Sequence, residues 1–129
     1  MKALVTGASS GIGYEISKYL AKRGYDIIVV SRNRQALENL KNEIKTNVQI
    51  VCMDLSVVDN CVKLYENFKD ENIDVLINNA GFGMYGNFDI LDMNKEIEMI
   101  NVNTYEFILC IKIICGKIDA SYKKRTKEK

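Results

Sequence analysis

Three glycines, Gly7, Gly11 and Gly13, stand in the pattern TGxxxGxG directly after a short apolar run, Ala3-Leu4-Val5. The run has the composition of a buried strand, and an amphipathic helical pattern opens near Gly11. A strand, a glycine-rich turn and a helix N-terminus together make a cradle for a pyrophosphate. Glycine turns the backbone sharply and lets an anion approach closely. The free N–H groups of the first helical turn and the positive end of the helix dipole then face that anion. Ser9 and Ser10 add hydroxyls that can cap the helix or touch phosphate. The candidate contacts are therefore Gly7, Ser9, Ser10, Gly11, Ile12 and Gly13. Three turn or cap glycines without a ligand are the alternative, but their place between a strand and an amphipathic helix favours a nucleotide loop. The spacing is not that of the general GxGxxG fingerprint.

Four further groups could take part. Ser31-Arg32 closes a second apolar run, where a carboxylate would bond the ribose 2′-OH of NAD and an arginine would meet the 2′-phosphate of NADP. Asp26 lies at the wrong end of that run. Arg32 is a planar cationic fork suited to phosphate, so NADP(H) is preferred and NAD(H) is the alternative. A solvated arginine at a helix start is the plainer reading. Asp54-Leu55 closes a third run, where Asp54 could cap the helix that starts near Val57. Asn78-Asn79-Ala80-Gly81 ends a fourth. Its asparagines can tie loop backbone across strand ends, and Ala-Gly leaves room for a ribose; an ordinary turn is the alternative. Asn101-Val102-Asn103 puts polar groups on an otherwise apolar helical stripe, which is unfavourable unless something recruits them.

The elements that must position these residues read in a regular order. Ile12, Ile16, Tyr19 and Leu20 form one helical face, ended by Gly24. Ile27 to Val30 is a β-branched run typical of a strand covered on both sides. Leu37, Leu40 and Ile44 mark a helix, and Val48, Ile50, Val51 and Met53 a strand. Val58, Cys61, Val62, Tyr65 and Phe68 mark a third helix, and Val75-Leu76-Ile77 a fourth strand. A longer helix begins near Asn94, with Ile97, Ile100, Thr104, Phe107, Ile108 and Ile111 as its apolar stripe. The alternation β-α-β-α-β-α-β-α with short connections predicts an α/β fold, a Rossmann-type doubly wound parallel sheet of order 3-2-1-4.

Composition narrows the function classes. The chain has 129 residues, enough for one domain with a real core, and a net charge of +1 from 18 basic and 17 acidic residues. That balance points to neither nucleic acid nor a membrane surface as partner. No leader of secretory type is expected at the N-terminus, and no apolar run is long enough to span a bilayer. Cys52, Cys61, Cys110 and Cys115 match no metal or redox spacing, and histidine is absent. Buried thiols in a reducing cytoplasm are the expectation.

The stretches TGASSGIG and NNAG, supported by SR, DL and NVN, resemble the short-chain dehydrogenase/reductase family over residues 1 to 114. The resemblance implies that Asp54 accepts from the adenine amino group, with Leu55 along the ring, and that Asn79, Ala80 and Gly81 border the cofactor. It implies that Asn103 belongs to the active site, distorting its helix and binding a water of the proton relay. A methyltransferase of related fold would not carry NNAG in register with TGxxxGxG.

In the family a fifth strand with a catalytic serine follows, then a helix bearing a Tyr-x-x-x-Lys acid/base pair. Here Gly116-Lys117-Ile118 only faintly echoes that strand, and Tyr122 is followed four residues later by Thr126. Ser121, Tyr122 and Lys123 are accordingly not assigned to catalysis. Residues 115–129 are expected to be a tail foreign to the family, from an insertion, frameshift or fragmented reading of the gene. The expected function is hydride transfer between NADP(H) and a carbonyl/alcohol pair, in a truncated chain that is catalytically incompetent alone. The alternative is a non-catalytic NADP(H)-binding module that forms a homo-oligomer or pairs with a full-length relative.

Overall fold

The computed structural model describes residues 1–113, apart from the Phe88 side chain; the expected tail and Cys115 lie outside them. Four strands, β1 (Lys2–Thr6), β2 (Asp26–Ser31), β3 (Val48–Cys52) and β4 (Val75–Ile77), form one sheet of order β3-β2-β1-β4. All pairings are parallel, with Leu4 opposite Ile28 and Leu76, and Val29 opposite Ile50. The expected order 3-2-1-4 is thus the observed one.

Side chains alternate across a strand, so each strand feeds two cores. Ala3, Val5, Ile27 and Val29 pack on one side with Leu20, Ala21, Leu37 and Leu40, from helices α1 (Gly11–Lys22) and α2 (Arg34–Glu43). Leu4, Ile28 and Val30 pack on the other with Cys61, Leu64 and Phe68 of α3 (Val58–Phe68), and with Cys110 and Ile113. Both faces are covered, which is why β1 and β2 read as unbroken apolar runs. Each buried Leu or Ile contributes about 1.5–3 kcal/mol.

A 3₁₀ turn (Phe88–Ile90) leads to α4 (Met93–Asn101), which runs through a π turn (Val102–Glu106) into further helix over 107–113. Gly24 ends α1 as expected, at φ +85° with its N–H on the Ala21 carbonyl. Two helical faces differ from expectation. In α1 the buried residues are Gly13, Ser17, Leu20 and Ala21, while Ile12 and Tyr19 are exposed. The last helix buries Val102, Glu106, Cys110 and Ile113 and leaves Ile97, Ile100, Phe107 and Ile108 about half exposed. In both cases a small or polar side chain sits inside because close packing or a hydrogen bond holds it there. No helix among the described residues is long and apolar enough to cross a membrane.

Candidate functional site

Strand order runs leftward from β1 to β3 and rightward from β1 to β4, so the loops after β1 and β4 part company at the sheet's carboxyl edge. Such a switch point leaves a crevice. Here it is a cleft of about 530 Å³ lined by residues of all four post-strand loops, together with Val102 of the π turn.

From the first loop come Gly7, Ser9, Ser10 and Ile12. Gly7 takes φ +63° and Gly11 φ +57°, left-handed values that cost other residues about 1–2 kcal/mol. Gly11 and Gly13 do not line the cleft. Gly13 is buried against the turn itself: a Cβ there would clash with the Gly7 carbonyl and lie 2.5 Å from Asn79 Nδ2. Gly11 opens α1 with free space around it. Ser10 occupies the cap position of α1 but its side chain makes no capping bond, which leaves the hydroxyl to the cleft.

The second loop supplies Ser31, Arg32 and Asn33. Ser31 Oγ accepts from the Asn33 N–H at 3.3 Å, and Asn33 caps α2 by accepting from the Ala36 N–H at 3.1 Å. Arg32 is exposed, with its carbonyl held by Cys52 Sγ at 3.2 Å. The third loop brings Met53, Asp54 and Leu55. Asp54 does not cap α3, whose cap position is Val57 with no side-chain bond. Instead Asp54 Oδ1 accepts from the Ser56 N–H at 2.9 Å and the Ser56 hydroxyl at 2.7 Å. Partial burial pushes its carboxyl up, but the two Ser56 bonds and the Arg32 charge outweigh it and leave the pKa below the ordinary value. Asp54 is therefore an ionised acceptor at neutral pH.

The fourth loop is held by a residue that sequence reading passed over. Thr6, at the end of β1, is fully buried, and its Oγ1 accepts from the N–H groups of Asn79 and Ala80, each at 3.0 Å. Asn79 reciprocates, donating through Nδ2 to the Thr6 carbonyl at 3.3 Å and the Gly7 carbonyl at 3.1 Å. The two glycine-bearing loops are thus one hydrogen-bonded unit. Asn79, Ala80 and Gly81 all line the cleft. Asn78 Oδ1 is buried and has no hydrogen-bond partner among the described residues.

Asn103 does not line the cleft. It lies in the π turn, donates from Nδ2 to the Phe82 carbonyl at 3.0 Å, and packs so closely that a Cβ on Gly81 would come 2.5 Å from its Oδ1. The local helix distortion expected at Asn103 is present. Asn101 Nδ2 donates to the Ser56 carbonyl at 3.3 Å, tying the helix to the third loop.

Two tyrosine–lysine pairs have Tyr-x-x-x-Lys spacing, Tyr14–Lys18 on α1 and Tyr65–Lys69 at the end of α3, and neither lines the cleft. Tyr14 and Lys18 both bond Glu43 of α2, and the hydrogen bond to Glu43 holds the Tyr14 phenol above its ordinary pKa. A general acid/base tyrosine needs the opposite shift. Lys69 pairs with Glu66 at 2.5 Å. No cluster of three or more metal-ligating side chains exists among the described residues.

A four-stranded parallel sheet with a glycine turn and an open cleft at its switch point defines an α/β domain of the doubly wound class. The chain belongs to the short-chain dehydrogenase family, whose model matches residues 1–124. It is 37% identical over 134 residues to a very-long-chain 3-oxoacyl-CoA reductase of Lodderomyces elongisporus, covering 98% of this chain and 38% of that one. A short-chain dehydrogenase from Sphingobium yanoikuyae, solved in complex with NADPH, superposes with TM-score 0.85 at 28% identity, over 93% of this chain and 49% of that one. A metagenomic short-chain oxidoreductase in complex with NADP gives TM-score 0.85 at 27% identity, over 94% and 57%. The chain spans less than half the length of the curated relatives it matches.

Proposed function

We propose that the cleft binds a nicotinamide dinucleotide, NADP(H) ahead of NAD(H), as the cofactor half of a carbonyl/alcohol oxidoreductase. The observation that carries this is the edge after β2, where Ser31 and exposed Arg32 line the cleft and no carboxylate does. The residues fit such a group. The first-turn amides of α1 lack intrahelical acceptors, the Ser10 hydroxyl is uncommitted as a cap, and nothing lies within 4 Å of the Gly11 Cβ position. These features suit a pyrophosphate. Arg32 suits a 2′-phosphate, ionised Asp54 suits an adenine amino group, and Leu55 offers an apolar face beside it. Bound NADP(H) would supply a hydride to a carbonyl carbon or take one from an alcohol. The two NADP-bound neighbours support this cofactor.

The 129 residues alone are catalytically incompetent in this reading. The two correctly spaced tyrosine–lysine pairs stand away from the cleft, and Tyr122 has no lysine four residues on. In this reading the protein is cytoplasmic. A second reading, a binding module that pairs with a full-length relative, draws on the exposed row Ile97, Ile100, Phe107 and Ile108. Fluorescence titration of the full chain with NADPH and NADH tests the proposal. NADPH should bind about tenfold or more tightly than NADH, and Arg32→Ala should erase that difference, the loss of one charge-assisted contact. Equal affinities in the unchanged protein would refute the preference, and no binding of either would refute the function.

A further inference from the structure

Two asparagines flank Val102 where α4 runs into the π turn, and they reach different loops of the cleft that Val102 lines. Asn103 donates to the Phe82 carbonyl at 3.0 Å, on the fourth loop. Asn101 donates from Nδ2 to the Ser56 carbonyl at 3.3 Å, on the third. This second bond is not a by-product of core packing. α4 buries none of its residues, and Asn101 itself is half-buried. An asparagine within a helix is unfavourable unless a partner recruits its side chain. Here the partner is the Ser56 carbonyl.

Ser56 is in turn what orients Asp54. Its N–H at 2.9 Å and its hydroxyl at 2.7 Å both go to Asp54 Oδ1. Asp54 lines the cleft, and its Oδ2 accepts no hydrogen bond among the described residues. The backbone on either side of this contact is anchored. Asn60 of α3 donates to the Asp54 carbonyl at 2.8 Å, and Asn101 holds the Ser56 carbonyl. A residue turns through two soft backbone dihedrals. Fixing its carbonyl removes one route by which Ser56 could swing its N–H and hydroxyl away from Asp54.

We propose that Asn101 is a positioning residue of the cleft: by holding the Ser56 carbonyl it fixes, through Ser56, the direction in which Asp54 presents its free carboxylate oxygen to an adenine amino group. The inference rests on the reading that the cleft takes a nicotinamide dinucleotide. Asn101 touches no ligand in this arrangement. Its effect reaches the ligand through Asp54 alone, so it is confined to ligands that offer Asp54 a donor.

The test compares NADPH with its hypoxanthine analogue, in which an oxo group replaces the adenine amino group. Both are titrated by fluorescence into the full chain and into Asn101→Ala, a change that suits the helix and removes the donor. In the unchanged chain NADPH should bind more tightly than the analogue. In Asn101→Ala its dissociation constant should rise about threefold to fivefold, the range for one neutral hydrogen bond. That of the analogue should not rise. A merely structural Asn101 would weaken both ligands alike. That result, unaltered NADPH binding, or no preference for NADPH in the unchanged chain overturns the proposal. Asn101→Ser, whose hydroxyl is too short to reach Ser56, repeats the comparison should Asn101→Ala not fold. Magnetic resonance reads the link without a ligand. In the variant the Asp54 carboxyl carbon and the Ser56 amide should shift, while the Asn79 and Ala80 amides held by Thr6 stay. If they do so but neither dinucleotide binds the unchanged chain, the cofactor reading fails and the link from Asn101 to Asp54 stands. If Asp54 and Ser56 do not respond, the link itself falls.

Discussion

Gly13→Ala should be the most damaging single-methyl change in this chain, although alanine is the better helix former. In an open helix position the exchange would gain about 1 kcal/mol. At Gly13 the new Cβ would clash with the Gly7 carbonyl and sit 2.5 Å from Asn79 Nδ2. Ordinary contact begins near 3.4 Å, so the Asn79 amide must retreat by roughly 0.9 Å. Its bonds to the Gly7 carbonyl at 3.1 Å and the Thr6 carbonyl at 3.3 Å then both break. Two such bonds are worth about 2 kcal/mol, and the overpacking adds about 1–3 kcal/mol. After the helix gain, the net loss is about 2–4 kcal/mol, a large share of the 5–15 kcal/mol typical of a domain. Gly11→Ala is the control. It bears the left-handed strain of φ +57° with nothing near its Cβ, a cost of about 1 kcal/mol. Urea unfolding followed by circular dichroism, with NADPH titration alongside, separates them. Gly13→Ala should lose about two to four times the stability that Gly11→Ala loses, and should weaken NADPH binding further. A Gly13→Ala protein within about 0.5 kcal/mol of the unchanged chain would refute the argument.

Three further outcomes are expected. Thr6→Val keeps the shape but strands the Asn79 and Ala80 N–H groups, so unfolding free energy should drop by about 2 kcal/mol with NADPH affinity falling in step. Alkylation of the folded protein near about pH 8 should mark exposed Cys52 and spare Cys61 and Cys110, read by peptide mapping. Those two are buried, and burial pushes Cys61 up to about 11 and Cys110 higher still. Burial raises the Glu106 carboxyl above its ordinary pKa, so Glu106 should make stability fall as pH rises. An acid whose folded pKa is raised binds more protons in the folded state, so its contribution is complete below the unfolded value and is lost above it. Urea midpoints measured across that range should decline in the unchanged chain and decline less in Glu106→Gln.

Much of this architecture was legible because strand and turn signals are local. Ile27 to Val30 can be little but a doubly covered strand, and glycines at 7, 11 and 13 can be little but a turn into a helix. Which glycine does what was not legible. All three look alike in sequence, yet Gly7 borders the cleft, Gly11 supplies a left-handed φ and Gly13 supplies room for Asn79. Helix faces failed for a related reason. Periodicity ranks Ile97, Ile100, Phe107 and Ile108 as core, but the sheet receives Val102, Glu106, Cys110 and Ile113. An acid before a helix commonly caps it, so the sequence leaves a cap open for Asp54. Its carboxylate is taken by Ser56, two residues on. Thr6 stands in the TGxxxGxG pattern, yet its role escaped notice because its partners Asn79 and Ala80 lie more than 70 residues away. Glu106 escaped notice because nothing local marks it for burial.

The four strands end almost flush: Thr6 stands beside Val30, Ser31 beside Cys52 and Val5 beside Ile77. On the β2 side of the cleft, Val30 and Ser31 are the last residues of a strand paired on both edges, and Arg32 and Asn33 follow it. The lock between Thr6, Gly7 and Asn79 involves none of Ser31, Arg32 or Asn33. Under the proposed cofactor reading, the side chain of Arg32 can therefore change without disturbing that lock, whereas its neighbour Asn33 also caps α2 and is not free to change.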